Sequence, residues 1–201
     1  MVKKITNILI FVFIAALYVI SFLMIFESFK QRKLEYLESQ ALNTFEKSVK
    51  VKKVKADDLD DDKTSNMGLG YNGYTLLGKI SIPKIGFTSV VIKENTYRAM
   101  DLGVVISYGV SLNEPGGTII SGHNYRGQSI FMYSIKNLNS GDKIYITDSS
   151  GREVEYTVYE TLRNYSPDNT ELYKTFDGYH LILVTCENSG TSRIVVKASA
   201  N

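Results

Sequence analysis

Two apolar runs near the end of the chain constrain the fold more than any other part of the sequence. They are Leu181–Thr185 and Ile194–Val196, and the polar loop Asn188–Gly190 lies between them. Short runs rich in β-branched residues are typical of strands, and a short loop that contains Gly and Asn is typical of a hairpin. The segment His180–Lys197 therefore predicts two paired antiparallel strands.

This hairpin would place Cys186, the only cysteine in the chain, opposite Arg193. Opposed residues on paired strands point to the same side, with Cβ atoms about 5 Å apart. A nearby cation lowers the pKa of a thiol and favours the nucleophilic thiolate. Taken singly, the cysteine could instead be a small core residue and the arginine a solvated edge charge, and both interpretations stay open at this point.

A nucleophilic thiol also needs a base, and the chain has two histidines. His180 precedes Cys186 by six residues on the same predicted strand, about 20 Å away when extended, and is too far. His123 follows the β-branched run Thr118–Ile120 and Ser121-Gly122, so a strand end presents it. His123 is therefore the candidate base.

The remaining pattern predicts a small, mostly all-β domain that starts near Tyr74. Short alternating strands with turn residues between them suggest a closed barrel. The predicted strands are Leu76–Ile82, Thr88–Lys93, Ile106–Val110, Lys143–Thr147 and Glu153–Leu162, with helical turns in Ile130–Leu138 and a long polar connection at Arg163–Tyr179.

The N-terminal part predicts a membrane anchor. Ile8–Phe26 is apolar apart from Tyr18 and Ser21, and nineteen helical residues span about 28 Å, close to the thickness of the bilayer core. No small-residue cleavage site follows it, which favours an uncleaved anchor over a signal peptide. Lysines and arginines flank both ends of the run, so charge does not set its orientation. Residues 1–27 are assigned to the cytoplasmic tip and anchor.

Residues 28–73 predict a charged stalk and flexible linker, which leaves 74–201 as the folded domain. Glu27–Val49 is partly amphipathic, and the opposite charge blocks Lys50–Lys55 and Asp57–Asp62 follow it. The acidic block does not fit an EF-hand, because Lys63 and Leu69 occupy the positions that need Gly and Glu. A solvated linker fits better.

Composition excludes several classes of protein. A formal net charge of +2 is too close to neutral to indicate nucleic-acid binding. With one cysteine there is no internal disulfide, and no Cys/His group has zinc spacing.

The order of these motifs resembles the sortases, the cysteine transpeptidases of Gram-positive cell surfaces. The matching stretches are Leu77–Gly86, Glu114–Asn124, Leu138–Asp148, Leu183–Cys186 and Arg193–Val196. They are specific in combination, although Ile182 replaces a threonine common in the family. The resemblance implies an eight-stranded sortase barrel.

The resemblance also implies the chemistry. Cys186 attacks a peptide carbonyl to form a thioester, His123 moves the proton, and Arg193 stabilises the oxyanion or holds a substrate carbonyl. Thr185, Glu187 and Ser121 are predicted to contact substrate.

The implied substrate is a secreted protein with an LPXTG-like sorting signal at its C-terminus. The implied acceptor is an amine of the cell wall or of a pilin, and the domain would lie outside the cell, tethered to the membrane lipid. The rival functions are a membrane-anchored cysteine hydrolase that uses water and a non-catalytic barrel with a buried cysteine.

The sequence also bears on the sortase subclass and on metal dependence. The three prolines, Pro83, Pro115 and Pro167, lie inside the domain, so the Asp-Pro-aromatic lid of pilus-building sortases is missing. This favours a cell-wall-anchoring member, class D-like or B-like, over a pilus-assembling one. Asp168, Glu171 and Asp177 resemble calcium ligands of some sortases, but acidic residues in a solvated loop explain them, and we predict no cofactor or required metal.

Overall fold

The structure is a computed structural model that describes residues 2–55, 67–124, 132–174 and 176–200. By its internal contacts the chain divides into two compact units, Met1–Tyr36 and Leu37–Asn201. The acidic block Asp57–Asp62 of the predicted linker lies outside the described residues.

The first unit is helical and apolar on its surface. Helix α1 spans Val2–Ser48, and its first part exposes large apolar side chains such as Phe11, Phe22 and Ile25. Among the described residues, this is the one helix long and apolar enough to cross a membrane, with a mean hydropathy of 2.5 in its most apolar stretch. Its length and composition fit the predicted anchor, which stays a prediction.

The second unit is built from strands joined by short helical turns. The strands are β1 (Lys52–Lys53), β2 (Leu69–Tyr71), β3 (Tyr74–Ile82), β4 (Phe87–Ile92), β5 (Val104–Gly109), β6 (Gly116–Gly122), β7 (Lys143–Asp148), β8 (Arg152–Tyr165), β9 (Tyr179–Glu187) and β10 (Ser192–Ala200). The short helix α2 spans Tyr97–Met100, and 3₁₀ turns span Pro83–Ile85, Met132–Asn137, Thr170–Tyr173 and Asn188–Gly190.

Eight of the described strands close into a barrel. The hydrogen-bonded order runs β8-β10-β9-β6-β5-β4-β3, and β7 closes the ring because it pairs with both β3 and β8. Two of these eight neighbouring pairs, β4–β5 and β6–β9, are parallel, and the others are antiparallel. The predicted closed, mostly all-β fold is confirmed.

Strand β9 is buried on both faces, which explains its uninterrupted apolar run. Leu181 and Leu183 belong to the core inside the barrel. Ile182 and Val184 point outward into a second apolar cluster, where Leu172 and Phe176 of the β8–β9 connection pack. The Phe176 ring comes so close to Gly117 of β6 that a Cβ atom there would lie 2.5 Å from it.

The end of helix α1, from Leu37 on, is part of the second unit. Ala41 and Phe45 lie on one face of the helix, Val49 directly follows the helix, and all three are buried together with Leu76 and Ile92 of the barrel. Strand β1 then pairs in parallel with the start of β8. The compact unit thus begins earlier in the chain than Tyr74, where the sequence analysis places the start of the folded domain, because part of the assigned stalk covers apolar barrel residues.

We therefore expect a fragment of residues 37–201 to be much more stable than a fragment of residues 74–201. The shorter fragment exposes the apolar surface that Phe45 and its neighbours cover. Removing a buried phenylalanine side chain alone costs about 4 kcal/mol, a large part of the stability of a small domain. Urea denaturation measures the difference, and Phe45→Ala in the longer fragment should account for about 4 kcal/mol of it. Equal stability of the two fragments would show that the helix end is dispensable.

Candidate active site

Cys186 and Arg193 lie opposite each other in the β9–β10 ladder. The register pairs Cys186 with Arg193, as the hairpin pattern predicts, and the thiol is exposed. Both residues continue the outward-facing positions of their strands, since Val184 and Val195 belong to the outer apolar cluster. The thiol and the guanidinium therefore share the outer face of the barrel.

The loop between these strands holds the arginine. Asn188, Ser189 and Gly190 have φ values of 48°, 55° and 93°, so three successive residues adopt the left-handed conformation and turn the chain sharply. The Arg193 Nη1 donates hydrogen bonds to the carbonyls of Gly190 at 2.8 Å and Ser192 at 3.0 Å. The guanidinium is thus tied to the backbone beside the cysteine.

The parallel pairing of β6 and β9 brings His123 to the end of the barrel where Cys186 lies. Gly122 is in register with Thr185, so His123 and Cys186 are the next residues along two adjacent strands. The Thr185 hydroxyl donates a hydrogen bond to the Gly122 carbonyl at 2.8 Å, and the Asn124 side-chain amide donates one to the Cys186 carbonyl. These two contacts tie the histidine segment to the cysteine strand.

Helix α2 lies against the histidine ring. His123 Nε2 is 3.4 Å from the Tyr97 carbonyl oxygen and 3.8 Å from the Asp101 carboxylate, and the His123 side chain is 12% exposed. The Tyr97 ring is tilted by 58° against the imidazole, with 4.3 Å between ring centroids. The histidine is therefore held in place from the side of α2.

A buried carboxylate with a half-exposed arginine partner supports the strand end. Glu187 directly follows Cys186 and is 5% exposed. Its carboxylate accepts hydrogen bonds from the Arg163 guanidinium and from the Asn164 backbone N–H, the latter at 2.7 Å. Burial alone would raise the pKa of Glu187, but these two donors outweigh it and lower the pKa below its ordinary value.

Comparison with known proteins assigns the chain to a family. The sequence pattern of the sortase domain matches residues 80–201, more than half of the chain. The chain belongs to the sortase family. It is 28% identical over 111 residues to sortase A of Bacillus anthracis and 26% identical over 117 residues to sortase A of Listeria monocytogenes. These alignments cover 55% and 58% of the chain and 52% of each relative, so the chain spans about half the length of the relatives it matches.

Solved sortase structures share the fold. A sortase D5 transpeptidase from Clostridium perfringens matches with a TM-score of 0.64 at 23% identity, over 83% of this chain and 99% of that one. A lid mutant of sortase A from Corynebacterium diphtheriae matches with a TM-score of 0.57 at 22% identity, over 64% of this chain and 71% of that one.

The other residues that the sortase resemblance nominated make internal contacts here. Thr185 bonds to the Gly122 carbonyl, and Glu187 bonds to Arg163 and Asn164. The Ser121 hydroxyl lies 2.7 Å from the Ser107 hydroxyl. Thr185 and Glu187 are buried on the inward side of β9. Substrate contact by these three residues stays a prediction, while their visible contacts stabilise the strand ends.

The second histidine lies away from this sortase site. His180 is near the start of β9, where its Nε2 is 3.0 Å from the Asp177 carbonyl oxygen and its ring packs beside Phe176. Five residues of extended strand lie between it and Cys186. The structure therefore brings one histidine to the thiol's end of the barrel, and the other to the opposite end of β9.

Sequence reasoning missed four residues that support the site. Tyr97 and Asp101 contact His123, Asn124 contacts Cys186, and Arg163 pairs with Glu187. Asn124 follows the candidate histidine directly, which was an available signal. Thr96 was a second signal in the sequence, because threonine is a common residue at the start of a helix. In the structure its hydroxyl accepts a hydrogen bond from the Ala99 N–H at the start of α2.

Among the described residues, no group of three or more His, Cys, Asp or Glu side chains could hold a metal ion. Glu171, one of the candidate calcium ligands, pairs with Lys174 at 2.5 Å. The expectation that no metal is required stays a prediction.

We expect Glu187→Gln to destabilise the fragment 37–201 by about 2 kcal/mol at pH 7, because a buried charged acceptor loses its partners. Since folding lowers the pKa of Glu187, its contribution is present above the ordinary value of 4.5 and is lost as the pH falls through the lower folded value. Urea denaturation at pH values from 7 to 3 measures the free energy of unfolding of both proteins. The difference between Glu187→Gln and wild type should shrink below pH 4.5.

The matched control is Glu155→Gln, which breaks the surface pair with Lys143. An exposed pair contributes about 1 kcal/mol or less. A Glu187→Gln variant no less stable than this control would contradict the structural role of the Glu187 carboxylate.

Proposed function

We propose that this sortase is a cysteine transpeptidase that cleaves a sorting signal and transfers the acyl part to an amine. One observation carries the proposal: Cys186 and Arg193 face each other on the outer side of β9 and β10, and His123 directly follows β6, the neighbour of β9, at the same end of the barrel. A nucleophile, a cation and a proton carrier in such proximity are the groups that acyl transfer through a thioester needs.

Cys186 is the nucleophile. Its thiolate attacks the scissile carbonyl, and the tetrahedral intermediate collapses to a thioester as the peptide C–N bond breaks. His123 gives a proton to the leaving amine and later takes one from the attacking amine. The exposure of the thiol and the tie between Asn124 and the Cys186 carbonyl support this role, because both present the sulfur to a bound peptide.

Arg193 stabilises the oxyanion or holds an adjacent substrate carbonyl. Its planar guanidinium carries five N–H donors, and the loop carbonyls of Gly190 and Ser192 occupy only Nη1 among the contacts described here. The charge is fixed at physiological pH and sits opposite the nucleophile.

The substrate class is an extended peptide of the LPXTG-like type, with a cell-wall or pilin amine as acceptor. The half-buried Val184 lies two residues before Cys186 on the same outward side of β9, at the edge of the apolar cluster that the β8–β9 connection covers. Such a surface suits an extended peptide with apolar residues before the cleaved bond. We further propose that α1 anchors the enzyme in the membrane as a single pass and that the barrel works outside the cell.

The test is intact-protein mass spectrometry with a candidate sorting peptide. Wild type should gain the mass of the acyl part of the peptide, and adding an amine such as triglycine should release a peptide–amine product. Cys186→Ala should form no adduct. A product formed only with water, with or without the amine, would favour the hydrolase alternative; transfer by Cys186→Ala would overturn the proposal.

The two histidines provide matched variants for the same assay. His123→Ala should lose at least a hundredfold in transfer rate, as expected for a general acid–base group. His180→Ala should stay within a few-fold of wild type because its ring contacts Asp177 and Phe176 instead. Equal losses in two well-folded variants would contradict the role of His123.

We expect Arg193→Lys to lower kcat by about a hundredfold, with a smaller change in KM. Lysine keeps the charge but not the planar set of donors, and removing an oxyanion donor costs about 3 kcal/mol. The measurement is steady-state transfer kinetics, with Arg152→Lys as the control for a guanidinium that contacts Asp148 instead. A rate within a few-fold of wild type would reduce Arg193 to a general electrostatic contributor.

A further inference from the structure

Two oxygen atoms from one short segment face the same nitrogen of His123. The Tyr97 carbonyl oxygen lies 3.4 Å from Nε2, and an Asp101 carboxylate oxygen lies 3.8 Å from it. A carbonyl and an ionised carboxylate can accept a hydrogen bond but cannot donate one. An imidazole nitrogen between two acceptors is stabilised when it carries a proton, so this arrangement selects the Nε2–H form of the ring.

The segment that supplies these oxygens is firmly docked. Ala99 and Leu102, on either side of Asp101 in the chain, are buried in the apolar cluster that also contains Phe45. The Thr96 hydroxyl caps the helix by accepting a hydrogen bond from the Ala99 N–H at 3.1 Å, and the Leu102 and Gly103 N–H groups donate to the Ala99 carbonyl. Asp101 is therefore held by the fold, and its side chain remains one-third exposed beside the histidine.

The Tyr97 ring adds a second contact from the same segment. Its centroid lies 4.3 Å from that of the imidazole, and the two rings are tilted by 58°. This packing limits rotation of the imidazole and keeps Nε2 turned toward the two oxygen atoms.

We propose that Asp101, together with the Tyr97 carbonyl, holds a proton on His123 Nε2, so that Nδ1 is the nitrogen that exchanges protons during the reaction. Asp101 is a positioning residue that acts through His123. The assignment of the exchanging nitrogen rests on the transpeptidase function proposed above, whereas the position of the resting proton does not.

The proton balance follows directly. Before attack, the imidazolium carries protons on both nitrogens and Cys186 is a thiolate. When the tetrahedral intermediate collapses, the Nδ1 proton goes to the leaving amine, the C–N bond breaks and a neutral ring protonated on Nε2 remains. The incoming amine then loses a proton to Nδ1 as its nitrogen forms the new amide bond, the C–S bond breaks and the thiolate returns.

Nitrogen NMR of the full chain in detergent micelles tests the resting proton. The chain has two histidines, so selective ¹⁵N-histidine labelling gives two ring spin systems, and His180 serves as an internal reference. At alkaline pH, where the rings are neutral, wild-type His123 should show a protonated Nε2 and an unprotonated Nδ1. Asp101→Asn should shift the ring toward a mixture of the two tautomers, because its amide can donate to Nε2, while Asp101→Glu should keep the Nε2–H form.

Transfer kinetics provide the second readout. Asp101→Asn should lower kcat about tenfold with little change in KM, since a misplaced proton affects the chemical step, and Asp101→Glu should recover most of the rate. Glu155→Gln, which removes the same charge from the surface pair with Lys143, should leave both the His123 signals and kcat unchanged.

Two results would overturn the proposal: wild-type His123 with its proton on Nδ1, or identical tautomer populations in wild type and Asp101→Asn. If wild type forms no acyl adduct with any sorting peptide, the proposed function fails, but the NMR comparison still decides where the proton rests.

Discussion

The register between β6, β9 and β10 is the constraint on which the site depends. Side chains alternate between the two faces of a strand, so a one-residue slip would turn Cys186 into the barrel and bring Thr185 out. The pairing of Gly122 with Thr185 and of Cys186 with Arg193 fixes all three candidate catalytic residues on the outer face at once. The inward and outward apolar residues of β9 make such a slip costly, because both faces are buried.

The polar contacts around this register stabilise it where the apolar core ends. At the end of β9, the Glu187 carboxylate binds Arg163 and the Asn164 N–H. On the outer face, the carbonyls of the tight loop bind Arg193. A buried carboxylate is tolerated only with such partners, so the same ionic contact that satisfies Glu187 also holds the end of the strand that carries Cys186.

The end of α1 and helix α2 pack in one apolar cluster beside this site. Phe45 lies in the same cluster as Ala99 and Leu102, which stand on either side of Asp101 in the chain. A segment that the sequence analysis assigns to a stalk therefore supports the surroundings of the candidate histidine. Removing that helix end would loosen the support of Asp101, because the same cluster holds both.

Local patterns in the sequence determined the barrel class, the hairpin and the opposition of Cys186 to Arg193, because these depend on strand period and loop length between near neighbours in the chain. They also selected His123 over His180, by the distance along a single strand. Only the tertiary structure decided that β6 pairs in parallel with β9, 63 residues on, that Asp101 faces His123, and that Phe45 is core. Periodicity shows which face of an element is apolar, but it does not show which distant element covers that face. That choice is made by the packing of the whole domain.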